Sequence, residues 1–443
     1  MENDNLVAQL STHFYTFKSR SHLFVNGYLD IKNIMKKVLT IICLFITLNS
    51  VAQIRYLDSL FIAEKTDSAI IYGTADALNA PYISNSWTYS QDLLMDIYQP
   101  QGDMNQVRPV LLFIHGGAFL FGSREDPNSV NVCKGFAEKG YVAVSIDYRL
   151  GLNTFSAASA ERAVYRGVQD TKAAIRFLKE NHTSYGIDTS RIFAMGNSAG
   201  SISAIHAAYF EDDERTNISS TFTAPDLGCL SCSGNAFIHN DKPIAIANLW
   251  GAIVDTTYIE AGDVPMISFH GTDDFVVSPD SANPFSSPFF PALSGSNYIT
   301  PRLQNLGITT EYYKFYNQGH EPWGVVSETP YFDSIMDLTT LFFYNFLQSN
   351  PSNTINQNST IRDLVIYPNP VTSFFNIDLT VATENSTYLQ VFNSVGQVIH
   401  SENLLLPKGE NQIKLNTSNW KSGLYYLHFN IGDQKISKLI MKQ

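Results

Sequence analysis

At 443 residues, 44% hydrophobic and 16% charged, the chain has ordinary globular composition and length for two folded units. The net charge is −12, and residues 53–362 carry −14. That field leaves no basic stripe for nucleic acid or an anionic membrane surface and suits a neutral or weakly basic substrate.

The stretch MKKVLTIICLFITLNSVAQ begins at Met35. Lys36 and Lys37 form a basic n-region, Val38 to Leu48 an apolar h-region, and Ser50-Val51-Ala52 the small residues that a signal peptidase reads. Residues 35–52 are therefore expected to be a signal peptide, with 1–34 misassigned upstream sequence and a mature start at Gln53. About eleven apolar residues fall short of the roughly 20 that span a bilayer. No transmembrane span is expected in the mature protein.

From Ile70 to Leu347, apolar runs alternate with helical patterns. SAIIYG and DLLMDIYQP read as antiparallel edge strands. VLLFIH (110–115), YVAVSID (141–147), RIFAMG (191–196), AIANLWG (245–251) and VPMISFHG (264–271) read as strands buried on both faces. Helices are expected over Ala160–Asn181, Ser198–Tyr209, from Asn297 to near Gly307, and Ser334–Leu347. Such alternation predicts an α/β, doubly wound, mostly parallel sheet over residues 53–349. Residues 350–361 are polar and aperiodic and read as a linker. Residues 362–443 carry short strands and turns at Val395-Gly396 and Gly432-Asp433, which predicts a small all-β sandwich.

Outside the cytosol, Cys229 and Cys232 of CLSC would form a loop staple. Zinc would need a second such pair, and a redox motif would need a strand before it and a helix after it. Cys133 reads as a buried apolar residue. No metal ligand set is expected.

Two segments carry the chemistry. LLFIHGGAFLFGS runs a strand into His115, Gly116 and Gly117, and adjacent glycines suit a backbone that must turn sharply or approach another group closely. RIFAMGNSAGSISAIHAA sets Gly-Asn-Ser-Ala-Gly between a strand and a small-residue helix, the context of a nucleophile elbow centred on Ser198. The helix N-terminus beneath Ser198 favours negative charge. His182, His206, His239, His270 and His320 could each offer a base, and the chain order Ser, acid, His selects His320 on a turn after TTEYYKFY. Asp273 and Asp274 follow a strand between them, and the H-G-x-x-D spacing favours Asp274. It would hold the His320 tautomer and stabilise the imidazolium. The N–H groups of Gly116, Gly117 and Ala199 would surround an oxyanion, each donor worth about 3 kcal/mol. His115 would orient the glycine turn, and His206 reads as a packed or surface histidine. Because His320 must be neutral to take the serine proton, turnover should fall as the medium becomes acid.

HGGAF, SIDYRLG, YGIDTSRIFAMGNSAG, HGTDDFVV and NQGH occur in order across roughly residues 65–348, and the segment resembles the α/β-hydrolase superfamily, specifically carboxylesterases and lipases with an HGG-type oxyanion motif. Ala118 stands where a third glycine is frequent, and Asn197 fills the variable position before the nucleophile. The resemblance implies an acyl-enzyme mechanism without metal or organic cofactor. Secreted bacterial relatives that release acetyl or feruloyl groups from plant polysaccharides make an acylated polysaccharide one substrate class. YPNP, VGQ, SGLYYLHF and a basic last strand make the tail similar to the C-terminal sorting domain of type IX secretion cargo. That implies export through the periplasm, recognition by outer-membrane machinery, and a secreted or surface destination in a Gram-negative bacterium. The rival readings are a non-catalytic surface-binding protein on the same fold and a peptidase of the same superfamily. The lack of a preceding β-propeller weighs against the peptidase.

Phe119 and Asn197 flank the motifs and are expected at the substrate. Phe285 and Phe289 belong to SPDSANPFSSPFFPALSGSN, which either lines an acyl pocket or covers the sheet edge. Only 75 residues separate Ser198 and Asp274, too few for a large lid. Small soluble esters, acetyl to butyryl or feruloyl, are therefore expected over long-chain ones.

Overall fold

The computed structural model describes residues 54–214, 224–324, 329–348 and 361–442, apart from 368, 370, 394–396, 432 and 433. The expected signal peptide, the segment before it and nearly all of the linker lie outside the described residues, as do the two tail turns.

Strands β1 (Ala63–Leu78) and β2 (Thr88–Pro100) form an antiparallel pair at one edge of a sheet. There follow β3 (Arg108–Ile114), α1 (Pro127–Glu138), β4 (Val142–Ile146), α2 (Ala157–Glu180), β5 (Ile187–Asn197) and α3 (Ala199–Tyr209). The unit closes with β6 (Ile246–Leu249), β7 (Met266–Gly271), α4 (Ser296–Asn305), β8 (Thr310–Phe315) and α5 (Pro330–Gln348). The eight strands lie in the order β1-β2-β4-β3-β5-β6-β7-β8. All pairings from β4 to β8 are parallel, the arrangement the strand–helix alternation predicts.

Alternation along β3 shows why the run is continuously apolar. Val110, Leu112 and Ile114 enter one core with Ala163, Ala174 and Leu178 of α2 and Ile202 and Ile205 of α3. Leu111 and Phe113 enter the opposite core with Val132 and Phe136 of α1 and Ile335 and Phe343 of α5. A strand with helices on both faces has no polar side to offer.

Local signals fix the helix starts. Ser156 caps α2, its side chain accepting from the Ser159 amide, a bond typically worth about 1 kcal/mol. Pro127 opens α1, where its missing N–H costs nothing. Helix α1 has no counterpart among the expected elements. Its buried positions Ser129, Val132, Cys133, Phe136 and Ala137 follow a helical stripe, but asparagine, lysine and glycine between them dilute the pattern.

The tail holds β9 (Ile361–Tyr367), β10 (Phe374–Val381), β11 (Asn385–Asn393), β12 (Val398–Leu406), β13 (Gly409–Asn416), β14 (Gly423–Ile431) and β15 (Gln434–Lys442). They form antiparallel sheets β9-β10-β13 and β12-β11-β14-β15. Phe375, Ile377 and Leu379 alternate inward from β10 to meet Leu389, Val391, Leu427 and Phe429. This is the expected all-β unit.

Candidate active site

The ends of β3, β5, β7 and β8 deliver the singled-out residues to one edge of the sheet. In an open parallel sheet the strand C-termini leave the crevice where ligands bind. Strand β5 runs to Asn197, and Ser198 follows at φ 53°, a left-handed conformation for a residue with a side chain. Its amide donates to Leu249 O at 3.0 Å, and its carbonyl accepts the first bond of α3 from Ile202. Gly200 permits this turn. A Cβ there would sit 2.1 Å from the Ile114 carbonyl oxygen, so the elbow can lie on β3 only without a side chain.

His320 stands 122 residues on, and its Nε2 lies 2.8 Å from Ser198 Oγ. Its Nδ1 lies 2.7 Å from Asp274 Oδ2. Asp274 Oδ1 accepts from the Val276 and Val277 amides at 2.8 and 2.9 Å. Burial pushes the Asp274 carboxyl up, but the hydrogen bonds from His270 and His320 outweigh it and hold it down at about 2. Asp274 is thus an ionised, fully partnered acceptor. Asp273, by contrast, is exposed and bonds the Thr272 hydroxyl.

The glycine turn is held from below. The Tyr148 hydroxyl donates to His115 O and Gly116 O at 3.1 and 3.2 Å, and its ring stacks on His115 at 4.4 Å. His115 Nδ1 lies 2.7 Å from Gly116 O. Burial holds the His115 imidazole below its usual range, so it stays neutral. Gly117 has φ 103°, and a Cβ on it would overlap the Phe121 carbonyl oxygen. The next residues, Ala118 and Phe119, are also left-handed.

Beside Ser198 opens a cleft lined by Ala118, Phe119, Ile202, Val254, Phe285 and Phe290, among other mainly apolar residues. Phe119 and Phe285 are therefore at the cleft. Phe289 is not among its lining and makes an edge contact with Phe155 at 5.6 Å. Asn197 is also absent from the lining, and its carboxamide turns to Glu321. Of the other histidines, His182 bonds Lys179 O and His239 pairs with Glu180, both at exposed positions. His206 is buried between Ile202 O and the Val254 amide.

Several contributors escape sequence reasoning. His270 is buried 3.4 Å from Asp274 Oδ2, with its ring nitrogens at Ser296 Oγ and Val277 O. Trp250, at φ 45°, sets its ring edge to face with His320 and Trp323. A histidine at a strand end was visible, but its bond to the acid is a property of the loop's return. Cys229 and Cys232 are bonded to each other. Cys133 is buried, and burial pushes its thiol up and out of reactive range.

Residues 95–227 match the family model BD-FAE, and residues 365–443 match the model of the secretion system C-terminal sorting domain. Among curated proteins, Esterase-5A of Drosophila miranda is 28% identical over 175 residues, 37% of this chain and 29% of the relative. Esterase-5B of Drosophila persimilis is 30% identical over 145 residues, 32% of this chain and 24% of the relative. The chain therefore spans under a third of the length of these relatives. Among solved structures, the native Est2 esterase of Thermogutta terrifontis aligns over 69% of this chain and 99% of its own, at 21% identity and TM-score 0.44. A truncated carbohydrate esterase from gut microbiota aligns over 65% of this chain and 97% of its own, at 19% identity and TM-score 0.44. By its motifs, its sheet order and its curated relatives the first unit is similar to esterases of the α/β-hydrolase kind, and the tail is similar to the secretion system C-terminal sorting domain.

Proposed function

We propose that the protein is a secreted serine carboxylesterase, with Ser198 as nucleophile, His320 as base and Asp274 as its orienting acid. The observation that carries this reading is the unbroken bond chain Ser198 Oγ–His320 Nε2, His320 Nδ1–Asp274 Oδ2, opening onto an apolar cleft. His320 accepts the serine proton as Oγ attacks the ester carbonyl, and the backbone amides of Gly116, Gly117 and Ala199 receive the oxyanion. The imidazolium returns its proton to the departing alcohol, leaving an acyl-enzyme. A water deprotonated by the same imidazole then releases the acid. In this reading the left-handed turn from Gly117 to Phe119 and the start of α3 present those amides to the oxyanion.

The cleft receives the acyl group. Its apolar lining, which includes Phe285 and Phe290, disfavours a charged acyl chain and suits acetyl, butyryl or a single aromatic ring. The family match over 95–227 supports an ester substrate. Carbohydrate-linked acetyl and feruloyl esters are the proposed natural class, met outside the cell or at its surface after passage through the periplasm.

Ser198→Ala should abolish ester turnover and labelling by a fluorophosphonate. Labelling that persists in this variant would reject the assignment. Across nitrophenyl esters, methyl ferulate and acetylated xylan, activity should peak at short or feruloyl groups. A best substrate with an acyl chain of ten or more carbons would reject the cleft assignment. A non-catalytic surface protein would leave wild-type Ser198 unlabelled.

A further inference from the structure

Asn197 and Glu321 flank the two reacting side chains, each next to one of them in sequence, and they meet. Asn197 Nδ2 donates to Glu321 Oε1 at 2.9 Å, a bond between residues 124 apart. Asn197 is 6% exposed, so its carboxamide is held rather than free to swing. The same nitrogen lies against the glycine turn: a Cβ on Gly116 would sit 2.8 Å from Asn197 Nδ2. One carboxamide therefore touches the turn carrying the oxyanion amides, precedes the nucleophile, and bonds the loop that carries the base.

Glu321 has φ 54°, on the left-handed side that residues with side chains rarely occupy. Such a conformation persists only where surrounding contacts over-determine it. Two contacts hold this one: the side-chain bond to Asn197 and a turn in which the Gly324 amide donates to Glu321 O at 3.0 Å. If Glu321 relaxed to an ordinary conformation, the chain direction at His320 would change, and with it the 2.8 Å approach of Nε2 to Ser198 Oγ. Asn197 is not among the residues lining the cleft, and its carboxamide is turned to Glu321 instead.

We infer that Asn197 and Glu321 form a clamp that sets the distance between nucleophile and base. They are positioning residues, acting through Ser198 and His320 rather than on the ester. The inference rests on the esterase reading and deepens it. The clamp needs an acceptor oxygen at position 321 and not a charge, which separates it from an electrostatic role for the Glu321 carboxylate.

The test uses the full-length protein and two readouts, ester turnover and the rate at which a fluorophosphonate labels Ser198. Asn197→Ala and Glu321→Ala should each lower kcat and the labelling rate about tenfold or more, since small misplacements of reacting groups are costly. KM should stay within about twofold, because a positioning group acts on the chemical step. The double variant should be no worse than the poorer single one, because both break the same bond. Glu321→Gln keeps the acceptor oxygen and should stay within about threefold of wild type. Losses that multiply in the double variant, or a Glu321→Gln as impaired as Glu321→Ala, would overturn the clamp. So would losses that track the folded fraction in melting curves. A wild type that fails to label would overturn the esterase reading and the clamp with it. Normal wild-type labelling beside an unimpaired Glu321→Ala would overturn the clamp alone.

Discussion

Two adjacent aspartates follow β7, and their surroundings divide them. Asp274 accepts two backbone amides and two histidines and is kept ionised at about 2, whereas Asp273 faces solvent. Replacing Asp274 by asparagine presents an amide N–H or a weaker acceptor to His320 Nδ1 and favours the tautomer that cannot take the serine proton. A loss in kcat of about 10⁴-fold is expected. Asp273→Asn should leave turnover near wild type. A loss confined to the Asp273 variant would reassign the acid. At this scale the sequence reading reached Ser198, His320 and Asp274 because their spacing and chain order are local signals. It did not reach Glu321, whose partner lies 124 residues away, and it named His270 only as a candidate base, not as a neighbour of the Asp274 carboxylate. It expected Asn197 at the substrate because the residue adjoins the nucleophile, yet adjacency along a strand says nothing about which way a side chain turns.

At the scale of elements, α3 is held to the segment after β6 by a buried histidine. His206 Nδ1 lies 2.7 Å from Ile202 O, and Nε2 accepts from the Val254 amide at 3.2 Å. Both partners belong to the cleft lining. Burial lowers the His206 pKa from 6.5 to about 4, so the unfolded chain takes up a proton at higher pH than the folded one. Stability from this group is full above pH 6.5 and is lost progressively as pH falls to 4, by about 3 kcal/mol in all. Urea denaturation at pH 7.5, 5.5 and 4 should show the decline in wild type and a flatter profile in His206→Gln. Parallel profiles would place the acid sensitivity elsewhere. The parallel strands were legible because burial on both faces makes each one a continuous apolar run. Helix α1 was not, because its stripe is built from Ser129, Cys133 and Ala137 as much as from Val132 and Phe136, and such residues carry little periodic contrast.

At the scale of the whole molecule, the hydrolase and the tail are packed around separate cores. They meet where Lys438 of β15 pairs with Glu311 of β8 at 2.6 Å and Tyr426 of β14 packs on the core that holds α1 and α5. Burial pushes the Glu311 carboxyl up, but Lys438 and the Tyr313 hydroxyl outweigh it and hold it below its usual range. Burial also pushes the Tyr426 phenol up to about 12. Glu311 sits on the edge strand β8, on the opposite side of β7 from the strand β6 neighbours of Ser198. None of the described tail residues lines the cleft. Motifs in the tail announced a sorting domain, but a lysine and a tyrosine in a β-strand gave no sign that they would seat on the hydrolase. Ending the chain after Gln348 should therefore leave ester turnover within about twofold of wild type, since no residue of the proposed triad or cleft is removed. It should lower the melting temperature by a few degrees, because the Lys438–Glu311 pair and the Tyr426 contact are lost. In the cell the truncated protein should stay behind the outer membrane while the full-length protein reaches the surface or medium. Full export of the truncated form would deny the tail its sorting role. A collapse of turnover in a truncated protein that remains folded would mean that the tail reaches the site through β8 and the His320 loop that follows it.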